Sequence, residues 1–249
     1  MKKLALLMLL AVSSAVAFAA AKPEKQTLTS EGTERIYYTF VPEKLASAEK
    51  SAAPAPLILL LHGSGRDGMS QINEWKDLAE KEGFILAAPD SANSREWSMN
   101  TDGPEFLHQV VEAVRAKNSV DGKRIYLFGH SAGAVFALYM GVMESRYFAA
   151  VGAHAGAMGE DFYPYLDLAK RKVPIMIWVG TDDPYFSLAL VKATQSELNK
   201  HGFEAQMVEM KKHDHNYYAV SKDLNPKIWE FLRGHVLDAA SEWQVYQRK

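Results

Sequence analysis

The stretch Gly129-His130-Ser131-Ala132-Gly133 decides the fold of this chain. The apolar segment 124–128 before it is typical of a β-strand, and segment 134–140 after it is typical of a helix. A G-x-S-x-G pattern between a strand and a helix is the context of a nucleophile elbow. Small residues around Ser131 let the strand and the helix approach each other and leave the hydroxyl exposed. We therefore predict that Ser131 is a nucleophile.

Strand-like and helix-like segments alternate on both sides of this motif. Strands are predicted at residues 35–41, 57–61, 84–88, 124–128, 149–152, 175–179 and 205–210. Helices are predicted at 72–81, 105–117, 134–140 and 188–201, with a closing helix that begins at 225 and carries Pro226 in its first turn. Residues 22–32 are expected to be a loose lead-in, and 51–56 a surface connector. The alternation predicts an α/β fold with a mostly parallel central sheet and helices on both faces.

Composition limits the class of protein. Residues 1–21 have a basic start, an apolar stretch and an Ala-rich end, which predicts a signal peptide followed by one domain at 22–249. We expect an exported bacterial protein, periplasmic or secreted, with no membrane anchor. Without Lys2 and Lys3 the chain has 26 basic and 30 acidic residues, so a nucleic-acid partner is not expected. The absence of cysteine excludes a thiol nucleophile and disulfides.

A serine nucleophile needs a base and an acid that orients the base. In elbow-type sheets these follow the serine in the order acid, then histidine. Asp182 and Asp183 follow the strand at 175–179, and His213 and His215 follow the last strand. Each pair supplies two candidates, and spacing alone leaves the choice open.

Two further groups of candidates come from loops after strands. The turn Gly63-Ser64-Gly65 follows the strand at 57–61, and the N–H of Ser64 or Gly63 could join the N–H of Ala132 in an oxyanion hole. A substrate pocket is expected where strands end. Its candidate residues are Trp97, Met158, Tyr185 and Phe186.

The motifs resemble those of exported α/β-hydrolases of the esterase group that includes polyhydroxyalkanoate depolymerases, feruloyl esterases and acetylxylan esterases. The matching parts are 61–63, 120–126 with the elbow, 180–184 and 213–229. The resemblance implies the α/β-hydrolase fold, a Gly-x-x-Asp acid that corresponds to Asp183, and no cofactor or metal. Asp-His-Asn-Tyr-Tyr at 214–218 is similar to the Asp-His-Ser-Tyr-Tyr of S-formylglutathione hydrolases, which implies that His215 is the base. Relatives often have glycine where this chain has Lys212.

Three alternatives compete with this interpretation. Gly63-Ser64-Gly65-Arg66-Asp67-Gly68 with Asp90 fits a dinucleotide-binding pattern. His213-x-His215 could bind a metal ion, although no third ligand is evident. A protein with this fold could also bind without turnover.

We expect a serine hydrolase of small or polymeric esters that acts through an acyl-enzyme. A peptidase or thioesterase would use the same triad. The oligomeric state cannot be read from the sequence.

Overall fold

The structure is a computed structural model that describes residues 21–46 and 53–244. The predicted signal peptide, apart from residue 21, and part of the predicted connector lie outside the described residues. The strands are β1 Glu24–Ser30, β2 Thr33–Phe40, β3 Ala55–Leu61, β4 Ile85–Pro89, β5 Val120–His130, β6 Val151–His154, β7 Ile175–Gly180 and β8 Ala205–Met210. The helices are α1 Glu43–Ala46, α2 Gly68–Glu82, α3 Pro104–Lys117, α4 Ala132–Met143, α5 Leu188–Lys200 and α6 Tyr217–Arg233, with a 3₁₀ segment at Glu160–Leu168.

Within the described ranges, one eight-stranded sheet has the order β1-β2-β4-β3-β5-β6-β7-β8. Strands β3 to β8 pair in parallel, whereas β2 pairs antiparallel with both β1 and β4. The predicted mostly parallel sheet is therefore present. The strand order changes direction between β3 and β5, and ligands of open α/β sheets bind at such switch points, beyond the carboxyl ends of the strands.

The two faces of the sheet have separate cores because the central strands are buried on both sides. One core packs α3, α4 and α5 against the sheet, and the other packs α2 and α6. Every residue of β3 is buried. Helix α2 begins at an N-cap, Asp67, whose side chain accepts from Ser70 N–H, and it ends at Gly83, whose φ of 83° suits glycine.

Three expectations about individual segments are wrong. The expected lead-in contains β1, whose polar residues fit an exposed edge strand paired with β2. The expected connector ends inside β3, where Ala55 and Pro56 are buried.

The closing helix is the third. It begins at Tyr217, eight residues before the predicted start, and Pro226 lies inside it. Polar residues in its first half bond to α2 instead of forming a loop. Ser221 Oγ donates to Glu74 Oε2 at 2.5 Å, and Asn225 Nδ2 donates to the Glu74 carbonyl at 2.9 Å. None of the described helices is long and apolar enough to cross a bilayer.

Candidate active site

Ser131 lies at the sharp turn between β5 and α4. Its backbone has φ 57° and ψ −121°, which is strained for a residue with a side chain. The turn is tight enough to require glycine on both sides. A Cβ on Gly129 would lie 2.1 Å from the Gly133 carbonyl oxygen, and one on Gly133 would lie 2.3 Å from the Leu61 carbonyl oxygen. The predicted strand, turn and helix are thus present, with the serine held on a strained elbow.

Ser131, His215 and Asp183 come together from three separate segments. Ser131 Oγ lies 2.8 Å from His215 Nε2, and His215 Nδ1 lies 2.8 Å from Asp183 Oδ2. The Asp183 side chain is fully buried, and that of His215 is 20% exposed. The serine therefore has a base within hydrogen-bond reach, and that base has an acid on its far nitrogen.

The buried carboxylate of Asp183 is held in its ionised form. Burial alone would raise its pKa, but hydrogen bonds from Phe186 N–H, from His215 and from Tyr185 N–H outweigh burial, and the pKa lies below its usual value. Both backbone N–H groups donate to Oδ1, at 2.9 Å and 2.8 Å. The second oxygen is thereby left to face the imidazole.

The duplicate candidates do not join this set. Asp182 is exposed and accepts from the hydroxyl of its neighbour Thr181. His213 is buried, and its Nε2 lies 3.0 Å from Nε2 of His154 rather than near Ser131.

The turn after β3 lies against the elbow. A Cβ on Gly63 would lie 3.3 Å from Ser131 Cβ. Ala132 is the first residue of α4, and the first N–H groups of a helix have no partner within it. Among the residues that the structure describes, the N–H groups of Gly63 and Ser64 bond to no carbonyl of a loop or turn. These N–H groups remain the candidates for an oxyanion hole.

A set of contacts that sequence reasoning did not find holds this turn in place. His62 is buried, and its Nε2 accepts from Ser91 N–H at 3.1 Å. Its Nδ1 can therefore donate to the Gly63 carbonyl at 2.9 Å. Trp97 Nε1 donates to the His62 carbonyl at 2.9 Å, and its ring stacks on Phe136. In the sequence, the signals for His62 were its position at a strand end and its place in the matching segment 61–63.

A cavity of about 370 Å³ opens in front of Ser131. It is lined by Gly63, Ser64, Arg66, His130, Ser131, Pro184, Tyr185, Asp214, His215, Asn216 and Tyr218. Tyr185, 72% exposed, meets the His215 ring edge-on at 4.8 Å between ring centres. Arg66 lies over the Tyr218 ring at 4.5 Å.

The other expected pocket residues do not line this cavity. Phe186 stacks against His215 with ring centres 5.9 Å apart. Met158 is buried in the core, where its N–H donates to Thr194 Oγ1. Trp97 supports the turn at His62 rather than lining the cavity.

The geometry speaks against both ligand alternatives. A dinucleotide would place its pyrophosphate at the N-terminus of α2. Carboxylates of the chain already accept from that end: Asp90 Oδ1 binds Gly68 N–H at 2.7 Å and Asp67 Oδ1 binds Ser70 N–H at 2.8 Å. His213 Nε2 lies against His154, whereas the two ring nitrogens of His215 lie against Asp183 and Ser131. Over residues 21–46 and 53–244, no group of three His, Cys, Asp or Glu side chains is arranged to hold a metal ion.

Comparison with known proteins places these residues in a family context. The sequence profile described as phospholipase/carboxylesterase matches residues 84–233, a range that includes Ser131, Asp183 and His215. A bifunctional acetylxylan esterase/xylanase from Neocallimastix patriciarum is 28% identical over 158 residues, which are 61% of this chain and 22% of that protein. Feruloyl esterase B from Neurospora crassa is 29% identical over 160 residues, 59% of this chain and 52% of that protein.

The chain thus spans about half, or less, of the length of these curated relatives. Among solved structures, an S-formylglutathione hydrolase from Agrobacterium tumefaciens superposes with a TM-score of 0.68 at 17% identity. The superposition covers 89% of this chain and 98% of the other. At that identity the likeness shows a shared fold.

Proposed function

The chain belongs to the phospholipase/carboxylesterase family and has the α/β-hydrolase fold, and on this premise we propose that it is a serine hydrolase of carboxylic esters. The observation that carries the proposal is the continuous series Ser131 Oγ–His215 Nε2–Asp183 Oδ2, with both distances at 2.8 Å. This is the arrangement of a nucleophile, a general base and the acid that orients the base. We assign those roles to Ser131, His215 and Asp183.

The reaction follows from the positions of the proton and the lone pairs. His215 Nε2 takes the Ser131 proton while Oγ attacks the acyl carbonyl, and the tetrahedral intermediate collapses as the imidazolium gives that proton to the leaving alcohol. Water then attacks the acyl-enzyme by the same route, and the acid product leaves. Asp183 keeps the Nδ1–H tautomer in place and stabilises the imidazolium.

The developing oxyanion needs fixed donors. We assign this role to the N–H of Ala132 and to that of Ser64 or Gly63, because the first starts α4 beside Ser131 and the turn lies against Ser131 Cβ. One such donor contributes about 2.7–4 kcal/mol to the stability of the transition state. The contacts of His62 and Trp97 fix the turn before substrate arrives.

For the substrate, we propose acetyl or feruloyl esters, the classes in the names of the curated relatives. The open cavity and the exposed Tyr185 ring suit a flat acyl group or an ester on a larger molecule. A panel of p-nitrophenyl acetate, methyl ferulate, acetylated xylan and a hydroxyalkanoate oligomer tests this, with a thioester and a peptide amide as the competing arms. A higher kcat/KM on either competing arm would replace the carboxylic ester as the substrate class.

We further propose that residues 1–21 are an export signal and that residues 22–249 form one domain in a periplasmic or secreted protein. Mass spectrometry of the protein expressed from its full sequence in a bacterium tests cleavage near residue 21. An uncleaved protein that stays in the cytoplasm would contradict this proposal.

The decisive experiment is the Ser131→Ala variant. Loss of the nucleophile removes covalent catalysis, so kcat should fall on the order of 10⁴-fold or more. Fluorophosphonate should label the native protein at Ser131 and leave the variant unlabelled. Circular dichroism serves as the folding control. A folded Ser131→Ala protein that keeps most of its ester turnover would show that another group attacks the carbonyl.

A further inference from the structure

Three buried imidazoles form a second hydrogen-bonded series beside the proposed triad. His130 Nδ1 lies 3.0 Å from His154 Nδ1, and His154 Nε2 lies 3.0 Å from His213 Nε2. The exposed fractions of the three residues are 5%, 0% and 8%. The mechanism proposed above uses none of these rings.

Each imidazole of this series belongs to a different structural element. His130 ends β5 and directly precedes Ser131, and His154 ends β6. His213 lies in the loop after β8, two residues before His215. The series therefore crosses from the elbow to the loop that carries the base.

The elbow also has a backbone hydrogen bond to His154, whose ring is the middle one of the series. The N–H of Ser131 donates to the His154 carbonyl at 2.9 Å. By contrast, the base loop, residues 211–216 between β8 and α6, is bonded to the loop after β7 that carries Asp183. Asp182 N–H donates to the His213 carbonyl at 3.0 Å, and Lys212 N–H donates to Thr181 Oγ1 at 2.9 Å. The imidazole series links the base loop to the elbow itself.

Three neutral rings can form this series, because a neutral imidazole has one donor and one acceptor nitrogen. Two adjacent charged rings would instead bring N–H against N–H. Burial lowers the pKa of His130 to about 3, and it lowers the pKa of His154 well below the ordinary value. The rings of Tyr217 and His130 stack at 5.3 Å, which closes that side of the series with a buried aromatic.

We propose that His154 and His213 are positioning residues, which hold the base loop in register with the elbow so that His215 Nε2 stays on Ser131 Oγ. The proposal rests on the ester hydrolase function proposed above. It explains why a histidine stands at 213 without serving as the base. A shift of about 1 Å between reacting groups can cost on the order of 10²-fold in rate, so a link of this kind matters for kcat.

Replacements of His154 separate hydrogen bonding from packing. His154→Phe keeps a ring and removes both nitrogens, so kcat per active site should fall on the order of 10- to 100-fold with KM changed less than twofold. His154→Gln keeps a donor and an acceptor near the position of Nε2, so it should recover part of that loss. His213→Gln is a milder variant at the other end of the same bond.

The control and the normalisation keep this test decisive. His201→Ala removes a histidine that pairs with Asp167 and Glu197 away from the cavity, and it should leave kcat unchanged. Fluorophosphonate titration gives the fraction of active sites, and thermal unfolding reports stability. The proposal is overturned if His154→Phe keeps kcat within twofold of native, or if Gln and Phe variants lose kcat equally and in step with their unfolding temperatures.

A second measurement needs no turnover. His154 must donate through one nitrogen and accept through the other, so His130 and His213 must carry their protons on the same kind of nitrogen: both on Nδ1 or both on Nε2. Nitrogen NMR of histidine-labelled protein reads these tautomers. Opposite tautomers at His130 and His213 would refute the series. If the native protein turned over no ester but the tautomers matched, the proposed function would fail while the linked rings would stand.

Discussion

Asp183 Oδ2 lies 2.8 Å from His215 Nδ1, and the two N–H groups that bind the other oxygen of Asp183 fix the carboxylate in that direction. The neighbouring Asp182 carboxylate is turned to solvent, where it accepts from Thr181. Two adjacent residues of the same chemical type thus stand in opposite environments. Only the buried one can hold a tautomer of His215.

The first prediction uses this pair as a matched set. Asp183→Asn should lower kcat on the order of 10⁴-fold, because an amide can donate to Nδ1 and thereby favour the wrong tautomer of His215. Asp182→Asn should keep kcat within about twofold of native. Steady-state kinetics on p-nitrophenyl acetate, with active sites counted by titration, would make this comparison. Equal losses in both variants would contradict the assignment of the acid role to Asp183.

The fold could be predicted from sequence where a segment has one dominant signal. The apolar run of β3 and the glycines of the elbow allow few other structures, so both stand where they were expected. Segments with mixed signals failed. The polar residues of β1 gave no strand signal, because an edge strand is stabilised by pairing with one neighbouring strand and can stay exposed. Ser221 and Asn225 made half of α6 resemble a loop, because their hydrogen-bond partner on α2 is remote in sequence.

The candidate site shows the same division. Order along the chain and position at strand ends predicted Ser131 and two candidates for each partner, and the resemblance to esterases favoured Asp183 and His215. The structure brings Ser131, Asp183 and His215 together. Which aromatic residues line the cavity could not be read in this way. Trp97 and Tyr185 are both loop aromatics, and only their three-dimensional neighbours distinguish a turn support from a cavity wall.

The second prediction concerns Lys212, the position at which the esterase resemblance leads us to expect glycine. Its φ of 56° lies in the left-handed region that glycine adopts without strain. Lys212→Gly should raise the free energy of unfolding by roughly 0.5–1 kcal/mol, because relief of strain outweighs the added entropy of the unfolded chain. Urea unfolding would measure the gain.

Lys211→Gly is the matched control for that variant. Lys211 is exposed and has no left-handed backbone, so glycine there should give no gain and should cost up to about 1 kcal/mol. A destabilised Lys212→Gly protein would contradict the assignment of backbone strain to this position.

The third prediction concerns acid and chelators. kcat/KM should fall as the solution is acidified, because a protonated His215 has no lone pair for the serine proton. Asp183 should stay ionised in mildly acidic solution, since its pKa is held below the usual value. Chelators should leave the rate unchanged, because each step uses only protein groups and water. Activity that is lost in a chelator and restored by zinc would instead favour a metal bound at His213 and His215.

The fourth prediction is a pH dependence of stability that comes from His130. Its pKa in the folded protein is about 3, largely because of burial and then because of the nearby His215 charge, whereas an unfolded histidine has a pKa of about 6.5. Between these values the unfolded chain binds a proton that the folded chain does not. The contribution of His130 to the free energy of unfolding should therefore be fully present above about pH 6.5 and should be lost as the pH decreases toward 3.

A histidine replacement isolates this contribution. His130→Asn should reduce the loss of stability between pH 7.5 and pH 5 by about 2 kcal/mol, the linkage expected for roughly 1.5 pH units below the unfolded pKa. His201→Asn should change the slope in the opposite direction. The pKa of His201 is raised by hydrogen bonds to Asp167 and Glu197, so its contribution is present at low pH and lost as the pH rises through the folded pKa. Urea unfolding at the two pH values gives both differences. An unchanged pH slope in His130→Asn would show that His130 already takes up a proton in the folded protein, which is incompatible with a neutral series of linked imidazoles.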